Sequence, residues 1–252
     1  MKNQLSFDLS GEVAIITGAA QGIGKEVAYG FAAANCSLMI VDISDKIHDV
    51  AKDIRRLKKA CDSLIVDVSN LEQIKMMVKR CIQRHNKIDI LINNASISKP
   101  SSFLKMTNKD WDKTLANNLN SVFYCCKEVV PYMIEQNKGK IVNFSSINAA
   151  LGGKETSHYN AAKAGVESLT KSLARELGPY NIQVNVISPG FTDTRMLALM
   201  PDIHKQKLIK RIPLNRLGKP DDFIGPVLFL SSDGSNYITG QTLHVNGGFY
   251  FA

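Results

Sequence analysis

The stretch Val13-Ala14-Ile15-Ile16-Thr17-Gly18-Ala19-Ala20-Gln21-Gly22-Ile23-Gly24 carries an apolar run into a glycine-punctuated turn and then directly into a helical pattern. Its first four residues read as a strand buried on both faces, as the strands of a parallel sheet are. The glycines permit a tight turn and close backbone approach. The helix that follows, Ile23 to Ala34, offers unpaired N–H groups and the positive end of its dipole to a pyrophosphate. Glycine-rich turns between strand and helix also occur as packing devices, so the glycines alone are a weak signal.

The same alternation continues outward. Strand-like runs lie at Leu38–Val41, Ser63–Val66, Ile88–Ile92, Lys140–Phe144 and Gln183–Ile187, and helical periodicity at 45–60, 71–85, 111–135, 158–177 and 221–230. Strand then helix, repeated, implies right-handed crossovers and an α/β fold: one Rossmann-type doubly wound parallel sheet with helices on both faces. No linker or repeat interrupts it, so residues 1–252 are expected to form a single dinucleotide-binding and catalytic domain. The most irregular stretch holds Pro189, Gly190, Pro201, Pro213, Gly218 and Pro220, and residues at about 189–219 are expected to form a substrate lid.

Composition narrows the class. Hydrophobic residues make up 44% and charged ones 21% of 252, enough for a full core without disulfides or metals. The five cysteines are odd in number and lack Cys-x-x-Cys spacing, so no metal site is expected and reduced core thiols are the reading. No apolar run has membrane-spanning or signal-peptide length, and a cytoplasmic protein is expected. The net charge of +8 suits an anionic small molecule as well as a polyanion, but no nucleic-acid signature accompanies it.

The second strand ends at Asp42, 18 residues beyond Gly24, where a carboxylate can accept hydrogen bonds from an adenosine ribose diol. A 2′-phosphate there would meet repulsion of about 4 kcal/mol per unit charge at 4 Å and an effective dielectric near 20. No Lys or Arg stands among Ala19, Ala20 and Gln21 or immediately after Asp42, so NAD is expected rather than NADP. Asp42 as a cap on the following turn is the alternative.

Tyr159 and Lys163, at i and i+4 on one helix, lie on one face. A neighbouring ammonium stabilises phenolate and so makes a tyrosine a usable acid/base near neutral pH. Such a pair means little alone. With the glycine turn, Asp42, Asn93-Asn94-Ala95, Ser145-Ser146, Pro189-Gly190 and the final Gly240 to Gly248 segment, in that order, the chain resembles the short-chain dehydrogenase/reductase family over essentially its full length.

The resemblance implies roles. Tyr159 would be the general acid/base, Lys163 would lower its pKa and bind the nicotinamide ribose, and Ser146 rather than Ser145 would hold the substrate oxygen. Asn118, after Trp111-Asp112 and before Leu119, would hold a water of the proton relay. Gly18, Gln21 and Ile23 would meet the phosphates, Asp67 and Val68 the adenine, and Asn93 its ribose. Pro189, Gly190, Thr192 and Thr194 would flank the nicotinamide end. Ser96 stands where the family has glycine and Asn246 where it has aspartate; neither is expected to touch a catalytic group.

The implied reaction is NAD(H)-dependent hydride transfer between a secondary alcohol and a ketone, by a homotetramer or homodimer. The lid, Arg195 to Met200 followed by His204, Lys205, Lys207, Lys210 and Arg211, sets an apolar patch beside a cationic one and suggests an anionic substrate, a polyol or a sugar acid. The alternative is a 3-oxoacyl-thioester reductase of the acyl carrier protein type, although Asn137 and Tyr180 stand where such relatives carry carrier-docking arginines. A non-catalytic dinucleotide-binding or sensing protein is the alternative of another class, and it predicts damage to Asn118, Ser146, Tyr159 or Lys163. All four are present.

Overall fold

Side chains of β1 (Val13–Thr17) alternate between two apolar clusters, Ala14 and Ile16 in one and Val13 and Ile15 in the other. Period-2 geometry gives a central strand this two-sided burial. The structure is a computed structural model that describes residues 7–194, 197 and 201–252. After β1 come α1 (Gly22–Ala33), β2 (Ser37–Asp42), α2 (Ile47–Arg56), β3 (Cys61–Ile65), α3 (Leu71–His85) and β4 (Ile90–Asn93). Then follow α4 (Asn108–Leu115), a π turn (Ala116–Asn120), α5 (Ser121–Gln136), β5 (Gly139–Phe144), α6 (Asn148–Leu151), α7 (Ser157–Leu177) and β6 (Ile182–Pro189). The chain closes with α8 (Asp202–Ile209), α9 (Ile224–Ser231) and β7 (Thr242–Val245).

The strands pair in parallel in the order β3-β2-β1-β4-β5-β6-β7. Helices α1, α2 and α9 cover one face through Phe31, Ile47, Ile54 and Val227, and α3, α5 and α7 cover the other through Met77, Val129 and Val166. The order reverses between β1 and β4, which leaves a crevice beyond their carboxyl ends. Asn94 spans it: its Nδ2 donates to the Thr17 and Gly18 carbonyls at 3.0 and 2.9 Å. The Thr17 hydroxyl accepts from the Asn94 and Ala95 amides, each at 3.1 Å.

Three sequence expectations shift. The helix expected over 111–135 is two helices joined by the π turn, with Asn118 at its centre and fully buried. Helix α2, expected to run to residue 60, stops at Arg56 because Lys58 takes a left-handed φ of 59°, and Cys61 and Asp62, expected between helix and strand, begin β3. The stretch read as irregular contains α8; of the lid, Arg195, Met196, Ala198, Leu199 and Met200 lie outside the described residues. Among the described residues no helix is long and apolar enough to cross a membrane.

Gly24 keeps the turn closed. A Cβ there would stand 2.3 Å from Asn94 Nδ2 and 2.3 Å from the Gly18 carbonyl oxygen. Gly24→Ala should therefore lower unfolding stability by about 1–3 kcal/mol, the usual cost of overpacking a rigid contact, read from urea melts. An unchanged midpoint would show that the Asn94 bridge gives way freely.

Candidate active site

The carboxyl end of the sheet carries two adjoining clefts. The larger, of about 850 Å³, includes Gly18, Gln21, Ile23, Asp42, Asp67, Val68, Asn94, Ser96 and Thr194 in its wall. Its size lies within the range of small-molecule and cofactor sites. At its centre Gly18 and Gly22 take φ of 68° and 57°, and a Cβ on Gly18 would stand 2.7 Å from Ala95 Cα. Only glycine fits that crossing of two backbones. Gln21 at the start of α1 makes no side-chain capping bond, and the first turn carries no acidic residue, so the helix presents its N–H groups to the cleft.

Asp42 sits at the end of β2 with Oδ2 accepting from the Ala20 amide at 3.0 Å and Oδ1 from the Ser44 amide at 2.9 Å. The carboxylate fixes the turn, as the alternative reading expects, and also lines the cleft. Asp67 accepts from the Ser69 amide and hydroxyl, and its own amide donates to Gln73, which fixes the loop after β3. Lys113 of α4 is the cation among the described residues of this wall.

Asn93 needs correction. It is buried, donating from Nδ2 to Asn143 Oδ1 at 2.8 Å, and it does not line the cleft. Neighbouring strand residues point to opposite sides, so Asn94 reaches the crevice and Asn93 turns inward.

The smaller cleft, about 190 Å³, is lined by Ser96, Ser98, Ser146, Tyr159, Lys163, Pro189, Gly190, Thr192, Thr194 and Leu197 among others. The loops that build it are tied together. Ile147 donates to the Pro189 carbonyl, Gly190 donates to Val245, and Thr192 pairs with Gly218. Asn246 accepts from Gly248 and donates to the Tyr250 carbonyl, which makes it a turn former beside Gly190.

Of the two serines after β5, Ser145 is drawn to α7, its hydroxyl within hydrogen-bond distance of Glu167 Oε1 at 2.7 Å and of the Lys163 carbonyl at 3.1 Å. Ser146 stays in the cleft wall with Tyr159, its Oγ accepting from the Asn148 amide at 3.2 Å. Ser96 lines the same cleft as Tyr159, which corrects the expectation that this departure lies apart from the site. The signal was present as an anomalous residue, but the sequence does not show that the segment after β4 passes α7.

Lys163 is fully buried, and its Nζ donates to the Phe144 carbonyl at 2.8 Å while lying 5.7 Å from the Tyr159 ring centroid. Burial pushes its pKa down to about 7 and pushes that of Tyr159 up, the latter partly offset by the Ser146 and Ser96 hydroxyls. The expected lowering of Tyr159 by Lys163 does not hold in this structure: desolvation raises the phenol, and the serine hydroxyls rather than the ammonium oppose it. Asn118 is away from the cleft wall. Its side chain accepts from the Ile97 amide and donates to the Ile97 and Thr114 carbonyls, binding the π turn to the loop after β4.

Other expectations resolve plainly. His158 is buried at the helix start and lines neither cleft. Nor do His204, Lys205, Lys207, Lys210 and Arg211; Arg211 stacks on Phe249 at 4.9 Å. All five cysteines are buried, with the thiols of Cys61, Cys81 and Cys126 pushed up to about 12 and those of Cys36 and Cys125 also raised.

Comparisons with known proteins agree with this arrangement. A family model described as enoyl-(acyl carrier protein) reductase matches residues 18–250. The 3-oxoacyl-[acyl-carrier-protein] reductase of Thermotoga maritima is 40% identical over 241 residues, 95% of this chain and 98% of the relative. Its Staphylococcus epidermidis counterpart is 37% identical, over 94% and 98%. Among solved structures, a candidate gluconate dehydrogenase from Agrobacterium tumefaciens superposes with a TM-score of 0.93 at 32% identity, covering 98% of each chain. A candidate NAD(P)-dependent gluconate 5-dehydrogenase from Beutenbergia cavernae, with NADP bound at low occupancy, gives 0.93 at 30% over 97% and 98%.

The buried Lys163 makes stability depend on pH. The unfolded chain holds this proton up to its ordinary value of 10.5 and the folded chain only to about 7, so between them unfolding takes up a proton and stability rises with pH. Below about 7 the penalty is complete. Lys163→Met should therefore gain most on wild type at pH 7 and lose that advantage toward pH 10, by at most about 1.4 kcal/mol per pH unit. Chemical melts of both proteins across that range check it, and a pH-independent difference would refute the burial account.

Proposed function

The chain belongs to the short-chain dehydrogenase/reductase family and is an oxidoreductase, and on that premise we propose that it interconverts a 3-oxoacyl thioester and its 3-hydroxy form with NAD(H). One observation carries the reaction type: Tyr159, Lys163 and Ser146 line one cleft that adjoins the larger glycine-floored one. The full-length similarity to 3-oxoacyl reductases supports the substrate class. The loss of carrier-docking arginines at Asn137 and the exposed Tyr180 supports a small carrier such as coenzyme A rather than an acidic protein.

The larger cleft fits a nicotinamide dinucleotide. The Gly18–Gly22 turn and the uncapped start of α1, with Gln21 and Ile23, would hold the pyrophosphate; Asp42 would hold the adenosine ribose, and Asp67 and Val68 the adenine. Pro189, Gly190, Thr192 and Thr194 would flank the nicotinamide end. When bound, the dinucleotide supplies or accepts the hydride.

The protein's own residues manage position and the proton. Ser146 and Tyr159 hydrogen-bond the reacting oxygen; Tyr159 gives it a proton in reduction and takes one in oxidation. Lys163 approaches from one helical turn along and, as ammonium, stabilises the phenolate that forms. Asn118, its amide already committed to Ile97 and Thr114, positions the segment that carries Ser96 and supports the relay from there.

A sugar acid or polyol is the second reading, favoured by the gluconate dehydrogenase neighbours. Lys163 is the cation among the described residues of the smaller cleft, and it is spent on Phe144, which gives a sugar carboxylate little to bind. A homodimer or homotetramer is also part of the proposal. Phe123 on α5 and Leu243 on the edge strand β7 leave apolar surface exposed where helix-to-helix and edge contacts would form.

Fluorescence titration should show NADH bound at least tenfold more tightly than NADPH, with the preference reduced in Asp42→Ala. A preference for NADPH would overturn the Asp42 reading and point to Lys113. Acetoacetyl-coenzyme A should be reduced, and Tyr159→Phe should lower its turnover about a hundredfold or more. Turnover of 5-ketogluconate in its place would select the second reading. Light scattering after size exclusion should give two or four chains; a monomer at micromolar concentration would remove the oligomer.

A further inference from the structure

The C-terminal end of the chain packs against the segment that walls the smaller cleft, and it does so at several points. Gly190 donates to the Val245 carbonyl at 2.9 Å, and a Cβ on Gly190 would stand 2.6 Å from Asn246 Cα. Further along that segment, Leu214 donates to the Gly247 carbonyl at 3.1 Å. Gly247 and Gly248 take φ of 64° and 85°, and Cβ atoms there would stand 2.7 Å from Ile212 Cγ2 and 2.9 Å from Pro213 Cγ. Two glycines in the left-handed region thus let the tail pass close beneath residues 212–214.

Phe249 lies where the two stretches meet. Its ring centroid is 5.0 Å from that of Phe191, edge to face at 81°, and 4.9 Å from the Arg211 guanidinium carbon. Both geometries are favourable for an aromatic ring. Phe191 lines the smaller cleft and Phe249 does not. Gly218 closes the same stretches into a neck, donating to the Phe191 carbonyl at 2.9 Å and accepting from the Asp193 amide at 2.8 Å. Asn246 aims the ring: its Oδ1 accepts from the Gly248 amide at 2.9 Å and its Nδ2 donates to the Tyr250 carbonyl at 2.8 Å, so one side chain holds the backbone on both sides of Phe249. A carboxylate there could accept from Gly248 but has no proton for Tyr250.

We propose that Phe249 is a positioning residue for the substrate cleft: from the turn that Asn246 closes, it fixes Phe191 in the cleft wall against the Arg211 end of the same segment. Acting through Phe191, it sets the fit of the acyl portion and leaves the proton transfer to Tyr159. Asparagine at 246, where the resemblance leads one to expect aspartate, is what ties the turn. The inference rests on the smaller cleft as the substrate site, and one arm of its test needs no substrate.

The test compares Phe249→Ala, Phe249→Tyr and Asn246→Asp with wild type. With acetoacetyl-coenzyme A and NADH, Phe249→Ala should raise KM for the thioester about fivefold or more while kcat and the NADH Kd stay within about twofold. Phe249→Tyr, which keeps the ring, should restore KM, and Asn246→Asp should raise it; the latter carries the comparison if Phe249→Ala does not fold. An unmoved KM overturns the proposal. So does a raised KM that accompanies loss of kcat and NADH affinity alike, which assigns Phe249 to folding alone, or one that accompanies a fall of mass in light scattering, which assigns the tail to a subunit contact. Absence of wild-type turnover counts against the thioester reading, and the emission of bound NADH then decides. It should move toward that of free NADH in Phe249→Ala and Asn246→Asp but not in Phe249→Tyr, because Pro189 and Gly190 would flank the nicotinamide end; an unmoved emission overturns the proposal.

Discussion

Four hydrogen bonds between the ends of β1 and β4, from Asn94 and Ala95 to Thr17 and Gly18, hold open the point where the sheet changes direction. Parallel strands on either side send their connections to opposite faces, so without such a bridge the two ends would be free to splay. Everything chemical is hung from it. The glycine turn rests its Cα against Ala95, Asp42 fixes the turn from β2, and Ser96 emerges beside Tyr159. Backbone groups buried in the crevice are satisfied by a side-chain amide, which removes the cost of leaving them unpaired.

The fold was legible because β1, β2 and β4 are apolar runs without alternation, a pattern that a sheet covered on both faces requires. Asp42, Ser146, Tyr159 and Lys163 were legible through spacing and family likeness. What escaped depended on relations between distant segments. Asn93 and Asn94 are the same residue type side by side, and only the pleat decides which one reaches the crevice. Ser96 looked like a change in a turn because nothing local places that turn beside α7. The π turn had a faint trace in Asn117, Asn118 and Asn120, poor helix formers in a helical run.

Electrostatics divide the molecule. The excess positive charge lies on surface residues such as those of α8, while the described walls of the clefts hold little of it. Lys113 and Lys163 are the exceptions, and Lys163 is desolvated, so its charge at neutral pH is easily moved by a neighbour. A phenolate at Tyr159 would raise the pKa of Lys163 as Lys163 lowers that of Tyr159, since coupled groups act on each other equally. Two buried groups with displaced pKa values in a cleft are what proton exchange requires.

The π turn also changes the phase of a helix. At about 100° per residue, an unbroken helix would point the cleft-lining Lys113, Ala116 and Asn117 nearly opposite to the core residues Cys125, Val129 and Met133. One extra residue in the turn delays the rotation by about 100° and brings the two sets to within roughly a quarter turn of each other. The segment can then serve as cleft wall at one end and core at the other. Deleting one residue would regularise the hydrogen bonds and turn the wall away from the crevice, so the irregularity works as a rotational offset between binding and packing.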